Sequence, residues 1–177
     1  MSMQDTQETG PNEGAAPAAV IVLAAGAGTR MKSRTPKILH PVGGISMVGH
    51  ALNAAEALHP RTLAVVVRHE RETVAAHIAS LMPGAMIVDQ DEVPGTGRAV
   101  QAAVEAIDAL TPLEGTVVVT YGDVPLLEAA TLRELVAVHN VDSNAVTVLT
   151  ARVEDPAGYG RVLRAEDGTV TGIVEQK

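Results

Sequence analysis

The 177-residue sequence contains no cysteine, no phenylalanine and no tryptophan. Without cysteine it can form neither disulfide bonds nor thiolate metal sites, and this composition fits a cytoplasmic location. Without large aromatic residues, its core must be packed by Val, Leu, Ile and Ala. No apolar run approaches the length of a membrane span, and no Lys or Arg precedes Arg30. We therefore predict neither a membrane segment nor a signal peptide.

Positive charge is scarce except in one loop. The formal net charge is −8, which argues against a nucleic-acid surface because such surfaces need Lys and Arg to neutralise phosphates. Acidic residues are nevertheless absent from residues 14–55, where Arg30, Lys32, Arg34 and Lys37 lie close together. A basic, glycine-containing loop in an acidic chain favours a small-anion site over the alternative, a solvated loop that happens to be basic.

The order of apolar patterns predicts the fold. Residues 1–17 are polar and rich in Gly, Pro and Ala, so we predict a disordered tail followed by a domain over residues 18–177. In that domain, strand-length apolar runs alternate with helical periodicity, which predicts an α/β fold with a mostly parallel sheet flanked by helices. The predicted elements are strands at 18–24, 63–67, 85–88, 116–120 and 145–151, helices at 46–58, 70–81 and 96–110, a helix capped by Thr131 with Glu134, and a terminal hairpin over 161–175 turning at Asp167-Gly168.

Ligands bind such sheets beyond the carboxyl ends of the strands, where the basic loop follows the first strand. Gly26 and Gly28 allow a sharp turn and offer backbone N–H groups to phosphate oxygens. Arg30 can grip two phosphate oxygens as a fork, and Lys37 can act as a point charge. The loop is neither a dinucleotide fingerprint, which would need glycine where Met31 stands, nor a P-loop, which would need Gly-Lys-Ser/Thr.

Two further loops follow predicted strands. Gln90 carries an amide able to read a base edge, and Gly95-Thr96 opens a helix whose N-terminus can take an anion. Asp123 directly follows a buried strand, a common way to present a carboxylate to Mg²⁺ bound to phosphates. The alternative for Asp123 is a carboxylate that forms an Asx-turn or caps its loop.

These motifs, in their order along the chain, resemble a known family. Leu23-Ala-Ala-Gly-Ala-Gly-Thr-Arg-Met31 with Pro36-Lys37 resembles the signature of sugar-phosphate nucleotidyltransferases. Residues 18–177 as a whole resemble the N-terminal uridylyltransferase part of bacterial bifunctional N-acetylglucosamine-1-phosphate uridylyltransferase/glucosamine-1-phosphate acetyltransferases. The further motifs that carry this resemblance are His40-Pro-Val-Gly-Gly, Met47-Val48, Gly95-Thr96, Tyr121-Gly-Asp-Val-Pro-Leu126, Gly158-Tyr-Gly-Arg161 and Val174-Glu-Gln.

The resemblance implies a Rossmann-like, GT-A-like nucleotidyltransferase. Its reaction would join UTP to N-acetylglucosamine 1-phosphate, giving UDP-N-acetylglucosamine and pyrophosphate for cell-wall precursor synthesis. Arg98 departs from the histidine that is usual after Gly-Thr-Gly. The implied residues are catalytic Arg30, Lys37 and Asp123, with Asp123 also holding Mg²⁺; nucleotide-binding Leu23, Ala24, Ala25, Gly26, Gln90, Gly95 and Thr96; and substrate-binding Tyr121, Gly122, Gly160 and Glu175.

The resemblance also bears on what this sequence does not contain. It implies a second metal ligand and a sugar-reading asparagine beyond Lys177. It further implies a left-handed β-helix domain, absent from this chain, that acetylates glucosamine 1-phosphate with acetyl-CoA and builds a homotrimer. We therefore expect the chain to bind UTP but to turn over poorly alone. The alternatives are a nucleotidyltransferase for another sugar phosphate, an isoprenoid or a cofactor precursor, and a non-catalytic nucleotide-binding module.

Overall fold

The computed structural model describes residues 16–141 and 144–175, and the chain divides between Thr147 and Val148 into two compact units. Most of the tail predicted over residues 1–17 lies outside the described residues. Among the helices that the structure describes, none is both long enough and apolar enough to cross a membrane.

The first unit is built on a four-stranded parallel sheet, whose strands lie in the order Met86–Asp89, Thr62–Val67, Ala19–Leu23 and Val117–Tyr121. The alternation of apolar runs and helical periodicity therefore predicted the fold class correctly, and the element ends agree within about two residues for these four strands and for the first three helices. The strands are β1 (Ala19–Leu23), β2 (Pro41–Val42), β3 (Ile45–Ser46), β4 (Thr62–Val67), β5 (Met86–Asp89) and β6 (Val117–Tyr121). The helices are α1 (Met47–Glu56), α2 (Arg71–Leu81), α3 (Thr96–Asp108) and α4 (Ala129–Val141), with short 3-10 turns at Thr29–Met31 and Lys37–Leu39.

The register of the sheet brings the strand ends together. Leu23, the last residue of β1, lies opposite Val66 of β4 and Tyr121 of β6. Val67 of β4 lies opposite Asp89, the last residue of β5. Because all four strands run in the same direction, the loops after β1, β4, β5 and β6 meet at one edge of the sheet.

Both faces of the sheet are buried, and β1 contributes to both. Val20 and Val22 pack on the side covered by α1, α2 and α4, whereas Ile21 packs on the side covered by α3. All five residues of β1 are buried, as the continuous apolar run predicted. Ser46 caps α1 as expected, because its Oγ accepts a hydrogen bond from the Gly49 N–H at 3.1 Å.

Two predictions about the end of the first unit are wrong. Thr131 does not cap α4, which begins at Ala129; the Glu128 carbonyl accepts from the Leu132 N–H at 3.3 Å. Ala129 and Ala130 are strong helix formers and extend the helix past the predicted cap. Residues 145–151 do not form a strand. A right-handed crossover to a parallel strand outside β6 needs a helix on the α3 face, and α4 packs on the other face.

The second unit contains the predicted terminal hairpin. Strands β7 (Arg161–Arg164) and β8 (Val170–Val174) pair antiparallel, with an irregular register after Leu163. Gly168 adopts φ +84°, and the Asp167 carboxylate accepts a hydrogen bond from the Thr169 N–H at 2.9 Å. The Asp-Gly pair therefore turns the chain at the predicted position.

Candidate active site

A cleft of about 680 Å³ opens at the carboxyl edge of the parallel sheet. It lies within the first unit and is lined by the loops that follow β1, β4, β5 and β6. Most of the residues predicted from the sequence share this cleft. Those residues are Leu23, Ala24, Ala25, Gly26, Arg30, Lys37, Gln90, Gly95, Thr96, Tyr121 and Asp123.

Sterics fix the conformation of the loop after β1. Gly28 adopts φ +59°, and a Cβ atom placed there would lie 2.6 Å from the Cβ of Lys37. Only glycine therefore lets the chain pass this close to Lys37. Gly26 differs, because its φ is not positive and a Cβ there would meet no atom within 4 Å. Gly26 thus faces open space, whereas Gly28 is a structural requirement.

Lys37 and Asp123 form an ion pair in the cleft. Lys37 Nζ donates a hydrogen bond to Asp123 Oδ2 at 2.5 Å, and about a third of each side chain is exposed. Asp123 reaches this position because the Gly122 N–H donates to the Leu23 carbonyl at 2.9 Å, which holds the end of β6 against β1. The carboxylate thus contacts a cation of the first loop.

Side-chain hydrogen bonds hold the loop after β5. Gln90 Nε2 donates to the Val93 carbonyl at 3.0 Å and to the Gly95 carbonyl at 3.2 Å. Gly95 precedes α3 with φ +125°, a conformation that favours glycine. The predicted helix start at Thr96 is confirmed. The Gln90 amide nitrogen, expected from the sequence to read a base, thus organises the loop that leads into α3.

Sequence reasoning missed the loop after β4, which also reaches the cleft. Arg68 and His69 line it, and Arg68 Nη2 donates to the Glu92 carbonyl at 3.0 Å. The signal was present, because Arg68 directly follows the buried strand β4, much as Asp123 follows β6 after Gly122. The charged side chains lining the cleft are Arg30, Lys37, Arg68 and Asp123. A chain with formal net charge −8 therefore concentrates cations here, as an anion site requires.

Three predicted substrate residues do not line this cleft. Gly122 lies behind it, where an added Cβ would come within 3.3 Å of the Leu23 carbonyl oxygen. Gly160 and Glu175 belong to the second unit, where a Cβ on Gly160 would lie 3.5 Å from both Glu175 carboxylate oxygens. These two residues are therefore neighbours, as the hairpin pairing requires, and their predicted role stays a prediction.

The donors in the cleft fit a divalent metal shared with a ligand. Within residues 16–141 and 144–175, no group of three or more His, Cys, Asp or Glu side chains could enclose a metal ion. Asp123 offers one carboxylate, a hard oxygen ligand, and the neighbouring cations of the cleft can bind phosphate. Mg²⁺-type sites commonly use one or two carboxylates, with substrate phosphates and water completing the shell.

A doubly wound sheet with a cation-lined cleft at its carboxyl edge defines a nucleotide-binding α/β domain. The sequence profile of the MobA-like NTP transferase domain matches residues 20–170, so the chain belongs to that family of nucleotidyltransferase domains. Membership in this family implies a divalent metal.

Two curated relatives share high sequence identity with this chain. The "Bifunctional protein GlmU" of Pseudarthrobacter chlorophenolicus is 70% identical over 165 residues, which cover 93% of this chain and 34% of that protein. The protein of the same name from Paenarthrobacter aurescens is 70% identical over 161 residues, 91% of this chain and 32% of that protein. The chain thus spans about a third of the length of the curated relatives it matches.

A solved structure supports the fold independently. A UDP-glucose pyrophosphorylase complexed with UDP-glucose superposes with a TM-score of 0.62 at 16% identity, covering 91% of this chain and 69% of that one. At this identity the likeness establishes the fold alone.

Proposed function

We propose that this domain is a uridylyltransferase that forms UDP-N-acetylglucosamine and pyrophosphate from UTP and N-acetylglucosamine 1-phosphate, a reaction of peptidoglycan precursor synthesis. The observation that carries the proposal is the cleft, which Arg30, Lys37 and Arg68 line together with one carboxylate, Asp123, in an acidic chain. The similarity to GlmU proteins over almost the whole chain supports the choice of substrates.

The nucleotide would lie across the loops after β1 and β5. Gln90, Gly95 and Thr96 would contact the uracil and ribose, because they line the side of the cleft at the start of α3. Leu23, Ala24, Ala25 and Gly26 would lie against the nucleotide, and the open space beside Gly26 leaves room for it. The triphosphate would then extend toward the basic side chains of the first loop.

The reaction needs positioning and charge neutralisation more than proton transfer. An oxygen of the sugar phosphate would attack the α-phosphorus in line, forming the new P–O bond while pyrophosphate leaves. That oxygen is already ionised at neutral pH, so no general base is required. Arg30 would hold triphosphate oxygens as a fork, and Lys37 would hold the phosphates as a point charge. Fixed cations at a site of developing negative charge stabilise the transition state.

Asp123, the carboxylate that lines the cleft in the described part of the chain, would bind Mg²⁺. The bound ion would neutralise phosphate charge and orient the reacting groups. Lys37 Nζ donates a hydrogen bond to one oxygen of Asp123 at 2.5 Å. When a triphosphate binds, Lys37 would turn to the phosphates and leave the carboxylate to the metal, since both phosphate and metal carry charges that favour this exchange.

Tyr121 is the residue of the cleft that we propose for the sugar phosphate. Tyr121 lines the cleft and is half exposed, so its ring is available to a sugar phosphate. The resemblance assigns Gly122, Gly160 and Glu175 to the amino sugar, and that assignment stays a prediction. A homotrimer and a cytoplasmic location also stay predictions, the first from the resemblance alone and the second from the absence of cysteine.

Calorimetric titration with nucleotides tests the proposal. We expect UTP with Mg²⁺ to bind, UDP-N-acetylglucosamine to compete with it, and GTP, CTP and UDP-glucose to bind more weakly. Preferential binding of CTP or UDP-glucose would indicate a nucleotidyltransferase for another substrate. A non-catalytic module would bind UTP. It would not incorporate labelled pyrophosphate into UTP when it is supplied with UDP-N-acetylglucosamine and labelled pyrophosphate. Failure of every nucleotide to bind would contradict the proposal.

A further inference from the structure

The loop between β5 and α3 is closed by an ion pair outside the cleft. Arg98, in the first turn of α3, donates through Nε to Asp91 Oδ2 at 2.8 Å, and its Nη2 lies 2.7 Å from the same oxygen. The other oxygen, Asp91 Oδ1, accepts from the Val93 N–H at 3.1 Å. The two ends of the segment that carries Gly95 and Thr96 are thus joined through one carboxylate.

Arg98 is not placed to act on a ligand directly. Its guanidinium also lies 3.7 Å from a carboxylate oxygen of Glu105, so two acidic side chains already hold it. Neither Arg98 nor Asp91 lines the cleft, whereas Pro94, Gly95 and Thr96 between them do. The pair therefore acts on the cleft only through the backbone that it joins.

We propose that Arg98, through Asp91, is a positioning residue that holds the Pro94–Thr96 segment in the conformation that receives the base and ribose of the nucleotide. The inference rests on the proposed function for the identity of the ligand. Two other contacts act on the same loop, from Gln90 to the Gly95 carbonyl and from Arg68 to the Glu92 carbonyl. A loop already held in its bound shape loses less conformational entropy when ligand binds, so affinity for the base rises.

The proposal predicts a selective defect. Arg98→Gln should weaken UTP binding about fivefold, near the upper end of what an exposed ion pair contributes. It should leave the binding of inorganic tripolyphosphate unchanged, because that ligand has no base or ribose for the Pro94–Thr96 segment to receive. Asp91→Asn should show the same pattern, and the double variant should be no worse than either single one, because both changes break the same pair. Arg98→Lys should restore part of the UTP affinity.

The matched control is a similar ion pair that does not close this loop. Arg71 donates through Nε to Asp89 Oδ1 at 2.8 Å and through Nη2 to Asp89 Oδ2 at 3.2 Å, joining α2 to the end of β5. Arg71→Gln should leave affinities for both ligands unchanged. A UTP affinity of Arg98→Gln equal to that of the wild type would overturn the proposal, as would equal losses for UTP and tripolyphosphate.

Amide hydrogen exchange on the ligand-free protein separates this inference from the proposed function. Arg98→Gln should speed exchange in the peptide covering residues 91–97 and leave the peptide covering residues 26–37 unchanged. Unchanged exchange in residues 91–97 would overturn the positioning role of Arg98, whatever the ligand is. If the wild type fails to bind UTP while Arg98→Gln still speeds exchange in residues 91–97, the proposed function fails and the positioning role of Arg98 stands.

Discussion

The two loops that line the cleft after β1 and after β5 are held by different contacts. The basic loop, residues 26–37, is shaped by a steric contact at Gly28 and carries the exposed side chain of Arg30. The β5–α3 loop, residues 90–98, is shaped by hydrogen bonds from Gln90, Asp91 and Arg98. The steric contact at Gly28 shapes this loop without using Arg30, whose exposed charge stays available to phosphate. A loop that contacts the base can use its own side chains to stay rigid.

The largest combined effect, on stability and on UTP binding together, is expected from breaking the steric contact of the basic loop. Gly28→Ala places a Cβ 2.6 Å from the Cβ of Lys37 on a residue with φ +59°. Such overpacking costs about 1–3 kcal/mol, and moving Lys37 also disturbs its pair with Asp123. We expect lower stability in urea unfolding and at least ~10-fold weaker UTP binding, since that loss corresponds to ~1.4 kcal/mol.

Gly26→Ala is the matched control for Gly28→Ala. It introduces the same methyl group in the same loop, where it meets no protein atom within 4 Å. The free energy of unfolding should therefore stay at the wild-type value, although UTP binding falls if the nucleotide occupies that space. Equal stability of the two variants would show that the contact between Gly28 and Lys37 does not shape the loop.

The next effect comes from removing a phosphate-binding charge without disturbing the loop. Arg30→Ala should weaken UTP binding by about 1.5–3 kcal/mol, the range for a charge-assisted hydrogen bond. Arg34→Ala is the control, because Arg34 is also exposed in this loop but does not line the cleft. Titration calorimetry at constant ionic strength measures both. Similar losses in the two variants would mean that the loop attracts the nucleotide only by its general positive charge.

A smaller effect is expected where the basic loop meets the carboxylate. Asp123→Asn keeps the shape of the side chain and removes the charge that a hard cation prefers. The gain in UTP affinity on adding Mg²⁺ should fall by about an order of magnitude. Asp89→Asn provides the control, since Asp89 is also an ion-paired aspartate near the end of a strand but pairs with Arg71 outside the cleft. A normal Mg²⁺ response in Asp123→Asn would make Asp123 a structural residue that only anchors Lys37.

Much of this arrangement follows from local sequence, and the failures share a cause. Strands buried on both faces, such as Ala19–Leu23, have a pattern that tertiary contacts cannot easily override. The turns at Asp167-Gly168 and before Thr96 depend on glycine, whose signal is local. Residues 145–151 have an equally good apolar pattern, yet whether they pair depends on which face α4 covers. That choice is made by the whole sheet, and no short window of sequence contains it.

The candidate site was predictable where chemistry and position coincided in one segment. Arg30, Lys37 and Asp123 were found because charged residues follow buried strands beside glycines. Arg68 follows a buried strand without a glycine and was missed. The roles of Asp91 and Arg98 could not be read from the sequence, because their pairing across the turn depends on how the loop folds back before α3. Spatial proximity of side chains, rather than their type, is the information that the structure adds.

The smallest expected effect concerns the charge that holds the β5–α3 loop. The hydrogen bond from Arg98 is the main reason that the pKa of Asp91 lies below the ordinary value of 3.8. Because the folded-state pKa is the lower one, the pair stabilises the protein above about pH 3.8, and this stabilisation is lost as pH falls through the lowered pKa.

Carbon-13 NMR titration of the aspartate carboxyls should show Asp91 titrating below 3.8 in the wild type and closer to 3.8 in Arg98→Gln. The same titration in Arg71→Gln should raise the pKa of Asp89 and leave the pKa of Asp91 unchanged, since Arg71 lowers the pKa of Asp89 and not that of Asp91. An Asp91 titration that does not respond to loss of Arg98 would mean that the pair does not persist in solution, and that the two loops differ less than their contacts indicate.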